Sequence, residues 1–148
     1  MADMTAIIGT LDTALEKKLK ALCAQGYSLY DQGDFNAAVR AFYQAWLVLP
    51  KPQTQYPQAS WVLTALADGY HRAGKPRQAL EAAQSALCCP GSETNFIALL
   101  RKGQALLDLG DTAAARIALY KVFNQQGQTA FSNEPPRYLE AIDDLVVS

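Results

Sequence analysis

Three glycine-punctuated turns, Gly33-Asp34-Phe35, Gly74-Lys75-Pro76 and Gly110-Asp111-Thr112, recur along this chain, and the residues around them recur too. Seven positions before each turn glycine stands a tiny residue: Gly26, Ala67 or Gly103. Four before it stands Leu29, Tyr70 or Leu106. Five after it comes alanine each time (Ala38, Ala79, Ala115), nine after it Phe42, Ala83 or Leu119, and twelve after it Ala45, Ala86 or Val122. An apolar frame repeated this way admits few architectures. One helical pair cannot bury its apolar face alone, whereas three stacked pairs can. The expected fold is all-α, a solenoid of three helical hairpins.

Local chemistry agrees with that reading. Leu63, Leu66, Ala67 and Tyr70 fall at i, i+3, i+4 and i+7, one apolar stripe on a helix. Gly26, Ala67 and Gly103 sit where the two helices of a hairpin must approach closely. Asp34 and Asp111 are suited to cap the second helices, and Pro76 suits the first helical turn, where its missing N–H is harmless. The turn glycines are spaced 41 and then 36 residues apart. The extra residues fall in two breaker-rich stretches, Pro50 to Pro57 and Cys89 to Ser92, and are expected to lengthen loops without touching the packed faces.

This frame resembles the tetratricopeptide repeat. The first unit, about residues 19–52, carries Leu22, Gly26, Leu29, Phe35, Ala38, Phe42, Ala45 and Pro50. The second, about 60–93, carries Leu63, Leu66, Ala67, Tyr70, Ala79 and Ala86. The third, about 96–129, carries Leu99, Gly103, Leu106, Ala115 and Val122. Leucine replaces the usual tryptophan in all three, and the spacing exceeds the family's usual ~34 residues. The resemblance implies a right-handed superhelical solenoid spanning residues 1–148 as one domain. At its front, residues 10–20 are expected to run into the first repeat helix as one extension, with Leu11, Leu15 and Leu19 apolar. At its end, a capping helix over 135–146 is expected to bury Tyr138, Leu139, Ile142 and Leu145.

Composition narrows the function classes. A formal net charge of −1 and a pI of about 5.7, with no basic run longer than Lys17-Lys18, argue against nucleic-acid binding. No stretch reaches membrane-spanning length, and the opening residues do not form a signal peptide. Three cysteines, two of them adjacent, make no disulfide framework, so a cytoplasmic location is expected.

Catalytic chemistry finds little to use. His71 is the sole histidine, and a pairing with Asp68, three residues earlier on one helix, would lack a nucleophile and an oxyanion site. Cys88-Cys89 lacks the two-residue gap of a zinc site, and there is no second pair. The expectation is a protein that is not an enzyme and that needs neither a metal nor a cofactor.

What remains is surface. In the repeat family the leading helix of each hairpin lines a concave groove. Carried over by position, the resemblance implies groove residues Tyr27 and Tyr30 in the first unit and Trp61, Asp68, His71 and Arg72 in the second. In the third it implies Gln104 and Asp108, with Arg101 adjacent. Aromatic and arginine side chains supply most binding hot spots, so the expected partner is a protein or peptide client. Eukaryotic co-chaperones of this family grip a C-terminal carboxylate with paired polar residues one turn apart. Here Lys20 is followed by Ala24 and Arg101 by Ala105, so that clamp is absent and the acidic tail of a heat-shock chaperone is disfavoured. The chain resembles small stand-alone bacterial three-repeat proteins, either type III secretion chaperones or toxin-neutralising immunity partners. The alternative is a self-associating scaffold, a homodimer formed through the opening or terminal helix.

Overall fold

A computed structural model describes residues 9–146. Three hairpins run in series: α1 (Thr13–Asp31) with α2 (Phe35–Val48), α3 (Gln58–Arg72) with α4 (Pro76–Leu87), and α5 (Phe96–Asp108) with α6 (Thr112–Gln126). A short α7 (Pro136–Glu140) follows, and no strand occurs among the described residues. From α1 to α6 each helix packs on its neighbours in sequence, as a solenoid requires. In addition α3 touches both α1 and α5, whereas α2, α4 and α6 meet one another less closely. The leading helices therefore form the inner side of the stack.

The repeated positions explain the hairpins. The backbone at Gly33, Gly74 and Gly110 has φ between +73° and +91°, a left-handed conformation that an L side chain would strain. There each leading helix closes identically: Asp34, Lys75 and Asp111 donate their N–H groups to the carbonyls of Leu29, Tyr70 and Leu106 at 2.9–3.0 Å. That is the six-to-one bond of a Schellman motif, and it accounts for the fixed spacing of those residues from the glycine. Asp34 and Asp111 then cap the trailing helices, accepting from Ala37 and Ala114, while Pro76 opens α4 without a side-chain cap.

Packing between paired helices follows a size rule. The residues five, nine and twelve after each turn glycine are all fully buried. A Cβ at Gly26 would collide with the Phe42 ring, and one at Gly103 would lie 2.7 Å from Leu119 Cγ and Cδ2. The middle repeat places Ala67 and Ala83 at these two positions, both fully buried. Glycine thus faces a large residue in repeats one and three, and alanine stands with alanine in repeat two.

Both ends depart from expectation. The opening helix starts at Thr13 rather than residue 10, because Asp12 caps it by accepting from the Ala14 N–H at 2.9 Å. Leu11 precedes that cap and turns into the core, and the Gly9 N–H donates to the Gln55 carbonyl at 2.6 Å. The inter-repeat insertion is therefore not idle loop: it anchors the chain's lead, and Tyr56 packs against the core. At the other end the helix stops at Glu140 instead of reaching residue 146. Arg116 takes the Ala141 carbonyl at 2.7 Å, and the Leu145 N–H turns to the Ile142 carbonyl at 2.9 Å. Tyr138 and Ile142 are nevertheless fully buried against α6, with Leu139 and Leu145 packed beside them.

Candidate partner-binding groove

The inner wall consists of α1, α3 and α5, and its chemistry centres on one buried ion network. Asp68 on α3 accepts from the Tyr27 hydroxyl of α1 at 2.8 Å and from Arg101 Nε of α5 at 2.7 Å. Arg101 Nη1 donates to Gln104 Oε1 and to Glu134 Oε1, each at 2.9 Å. Gln104 Nε2 donates to the same Glu134 oxygen at 2.6 Å. With α1 joined through Asp68, α3, α5 and the C-terminal loop are thereby tied through one guanidinium. Its five donors in a planar fork allow several acceptors to be served at once. Burial works against the Arg101 charge, but Asp68 and Glu134 outweigh it and hold the group above its usual range.

Asp68, Arg101 and Gln104 are consequently wall rather than free surface. A partner could reach them only by exchanging existing bonds. Tyr27 is intermediate in character. Its ring lies 4.8 Å from that of Phe42 and 5.8 Å from that of Tyr30, yet 38% of the residue remains exposed. Burial, and then the neighbouring Asp68 carboxylate, raise its phenol well above the normal range, so it stays a donor.

His71 lies beyond the network with its side chain only 8% exposed, 3.8 Å from Glu134 Oε1. Burial first, then the Arg101 charge, push its pKa down to about 4, so the imidazole is neutral near pH 7. It does not pair with Asp68, whose bonds go to Tyr27 and Arg101; its neighbours are Glu134 and the Tyr138 ring, centroids 5.8 Å apart.

The other groove residues divide further. Arg72 stacks its guanidinium over Tyr30 and Phe35, 5.6 and 5.2 Å from the ring centroids, and caps one edge of the groove. Asp108 is tied to the terminal segment, accepting from the Tyr138 hydroxyl at 2.8 Å and from Arg137 at 3.1 Å. Trp61 stands apart from all of these. It is 49% exposed, with Lys20 Nζ 5.8 Å from the ring centroid.

Open space lies beside Trp61. A cleft of about 440 Å³ is lined by Tyr27, Ser60, Trp61, Thr64, Gly91, Thr94 and Asn95. Asn95 is held twice: its carbonyl oxygen caps α5 through Ala98, and its amide donates to Thr64 at 3.0 Å. Two residues of consequence lie outside the repeat positions and were missed in the sequence, Asn95 and Glu134. The helix-capping residue type of Asn95 was a usable signal. Glu134 gave none, because its partners lie 30 and 33 residues away.

No family model and no curated protein matches the sequence. Solved structures do match in fold. The first tetratricopeptide domain of Spaghetti (RPAP3), bound to the HSP90 peptide SRMEEVD, superposes with a TM-score of 0.66 at 20% identity, covering 85% of this chain and 96% of that one. The second such domain of human RPAP3, in complex with the HSP70 peptide SGPTIEEVD, gives 0.65 at 13% identity, covering 90% and 99%. The C-terminal domain of a Plasmodium falciparum protein described as FK506-binding gives 0.74 at 16% identity, covering 94% and 95%. Three glycine-closed hairpins, an inner wall of leading helices and these likenesses together establish a tetratricopeptide-repeat fold.

Proposed function

We propose that the protein is a non-catalytic module that binds a segment of one client protein along its inner face, entering at the Tyr27–Trp61 cleft. One observation carries this reading. Two aromatic side chains stand half-exposed beside an open cleft on the inner wall, while the polar residues around them are already paired. Exposed tryptophan and tyrosine on a rigid wall lose little side-chain freedom on binding and desolvate a large area, which is the profile of a hot spot. Two structural neighbours are bound to peptides, so the fold as such accommodates one.

The finer form of the reading is a bacterial cytoplasmic protein that masks a client surface, as a chaperone before export or as the immunity partner of a toxin. Among the described residues no helix is long and apolar enough to cross a membrane, which is compatible with that setting. The self-associating alternative finds less support at the opening helix than at the terminal one. Leu11 is buried in the chain's own core and Leu15 packs beside it.

Site-specific photocrosslinking tests the reading. A benzophenone side chain at position 61 is expected to trap one client, whereas the same group at Ile117, an exposed residue of α6, traps none. Equal trapping at both positions, or trapping at 117 alone, contradicts it.

A further inference from the structure

Beside the open cleft, the inner wall around Arg101 is already occupied, and by the chain itself. Glu134 stands in the loop between the 3-10 turn at Gln128–Phe131 and α7. Its side chain is about 10% exposed, and its hydrogen bonds converge on Oε1, from Arg101 and Gln104 of α5, with His71 of α3 next to it. A partner lying along the leading helices would meet this loop before it met Arg101.

The loop itself is thinly supported. A cavity of about 720 Å³, lined in part by Phe131, Ser132, Glu134 and Leu139, opens on one side. A second, of about 610 Å³ and lined in part by His71, Asp108, Ser132 and Glu134, opens on another. Phe131 and Tyr138, both buried, fix the two ends. Between them, the Glu134 carboxylate is what fastens residues 132–135 to the inner wall.

We propose that the 132–135 loop is a latch, in which Glu134 fills a carboxylate-receiving site made by Arg101 and Gln104, and that a client presenting an acidic side chain displaces it. This deepens the groove reading and rests on it. Exchange of one carboxylate for another at the same guanidinium leaves Arg101 paired throughout, so the buried charge is never stranded. The resident carboxylate competes as a tethered group, with an effective concentration on the order of millimolar. A lone acid in solution therefore cannot win. A client that also fills the Tyr27–Trp61 cleft can.

The test uses the full chain and a defined probe, a labelled acetyl-hexaglutamate amide, with the hexaglutamine peptide as control. Glu134→Gln is expected to bind the acidic probe at least tenfold more tightly than wild type, and Arg101→Gln added to it is expected to remove the gain. Should that double variant fail to fold, Arg101→Lys in the same background serves, with a several-fold loss expected because the planar fork is gone. Glu140→Gln removes the same charge from the exposed side of α7 and is expected to leave affinity unchanged. Amide exchange at Ser132 and Glu134, whose N–H groups bond the Thr129 and Phe131 carbonyls, should rise at least tenfold in Glu134→Gln, with the amides of α5 still protected.

Equal affinity of Glu134→Gln and wild type, an equal gain from Glu140→Gln, or a gain that survives loss of Arg101 overturns the proposal. So does a loop that remains protected. The exchange measurement involves no client, so its failure sinks the latch alone; a client found on another face sinks the groove reading instead.

Discussion

The Tyr27 hydroxyl donates to Asp68 at 2.8 Å, bridging the leading helices of the first two repeats. Asp68 in turn accepts from Arg101 of the third repeat at 2.7 Å, so one carboxylate joins all three hairpins on their inner side. Solenoid repeats hold together through their nearest-neighbour interfaces. Here a buried charge is added, and its geometry fixes how the leading helices stand to one another.

Removing that carboxylate should be costly and removing the hydroxyl should not. Asp68→Ala strands much of the Arg101 charge, and breaking a buried pair by deleting one partner typically costs about 3–5 kcal/mol. Tyr27→Phe leaves Asp68 with Arg101 and should cost about 1 kcal/mol, the scale of one ordinary hydrogen bond. Urea unfolding of the two variants checks the order. An Asp68→Ala protein as stable as Tyr27→Phe would show that the network is solvent-screened and that its burial does not matter.

The size rule inside the hairpins gives a second expectation. Gly103→Ala sets a methyl 2.7 Å from Leu119 and should cost about 1–3 kcal/mol by overpacking, partly offset by the better helix propensity of alanine, up to about 1 kcal/mol. Leu119→Ala alone leaves a cavity and should cost about 2–5 kcal/mol. The double variant reproduces the alanine pair of the middle repeat, so its cost should fall short of the sum by about 1 kcal/mol, a coupling expected only of residues in contact. Strict additivity in a double-mutant cycle would refute the rule.

His71 makes stability pH-dependent with a definite sign. Its pKa in the folded chain is about 4, against an ordinary value of 6.5, through burial and the Arg101 charge. Glu134 and Asp108 oppose that shift, Arg72 adds to it, and the Tyr138 ring lies against the imidazole. Between those two values the unfolded chain binds a proton that the folded chain does not, so stability falls as pH drops from about 6.5 towards 4. The full loss from this group approaches about 3 kcal/mol at 1.36 kcal/mol per pH unit. The difference in unfolding free energy between wild type and His71→Gln, followed from pH 7 to 4, isolates it. A difference that does not change with pH would place His71 in water.

The repeat frame was legible because each of its positions reports a local necessity. Gly33, Gly74 and Gly110 supply a left-handed helix end, Asp34 and Asp111 supply a cap, and Ala38, Ala79 and Ala115 fill fully buried positions. The groove was legible only as a face. The family resemblance implied Asp68 and Gln104 on the inner side, with Arg101 adjacent, but could not show that they face one another and are spent there. Glu134 was invisible for the same reason: its partners are distant in sequence, and a lone glutamate between Asn133 and Pro135 resembles any solvated loop residue. The terminal helix was overextended because the apolar spacing of Tyr138, Leu139, Ile142 and Leu145 suits a tight turn as well as a helix. What ends it is a side chain from α6, Arg116, which no local pattern announces.

The claim that a client engages the inner wall is tested most directly by the affinity of the crosslinked client for two cleft variants whose fold is verified by circular dichroism. Trp61→Ala and Tyr27→Ala should each weaken binding by about 2 kcal/mol, roughly thirtyfold in dissociation constant. Wild-type affinity in both, together with loss of binding on altering the Pro50–Pro57 loop, would contradict the account and move recognition to the insertion.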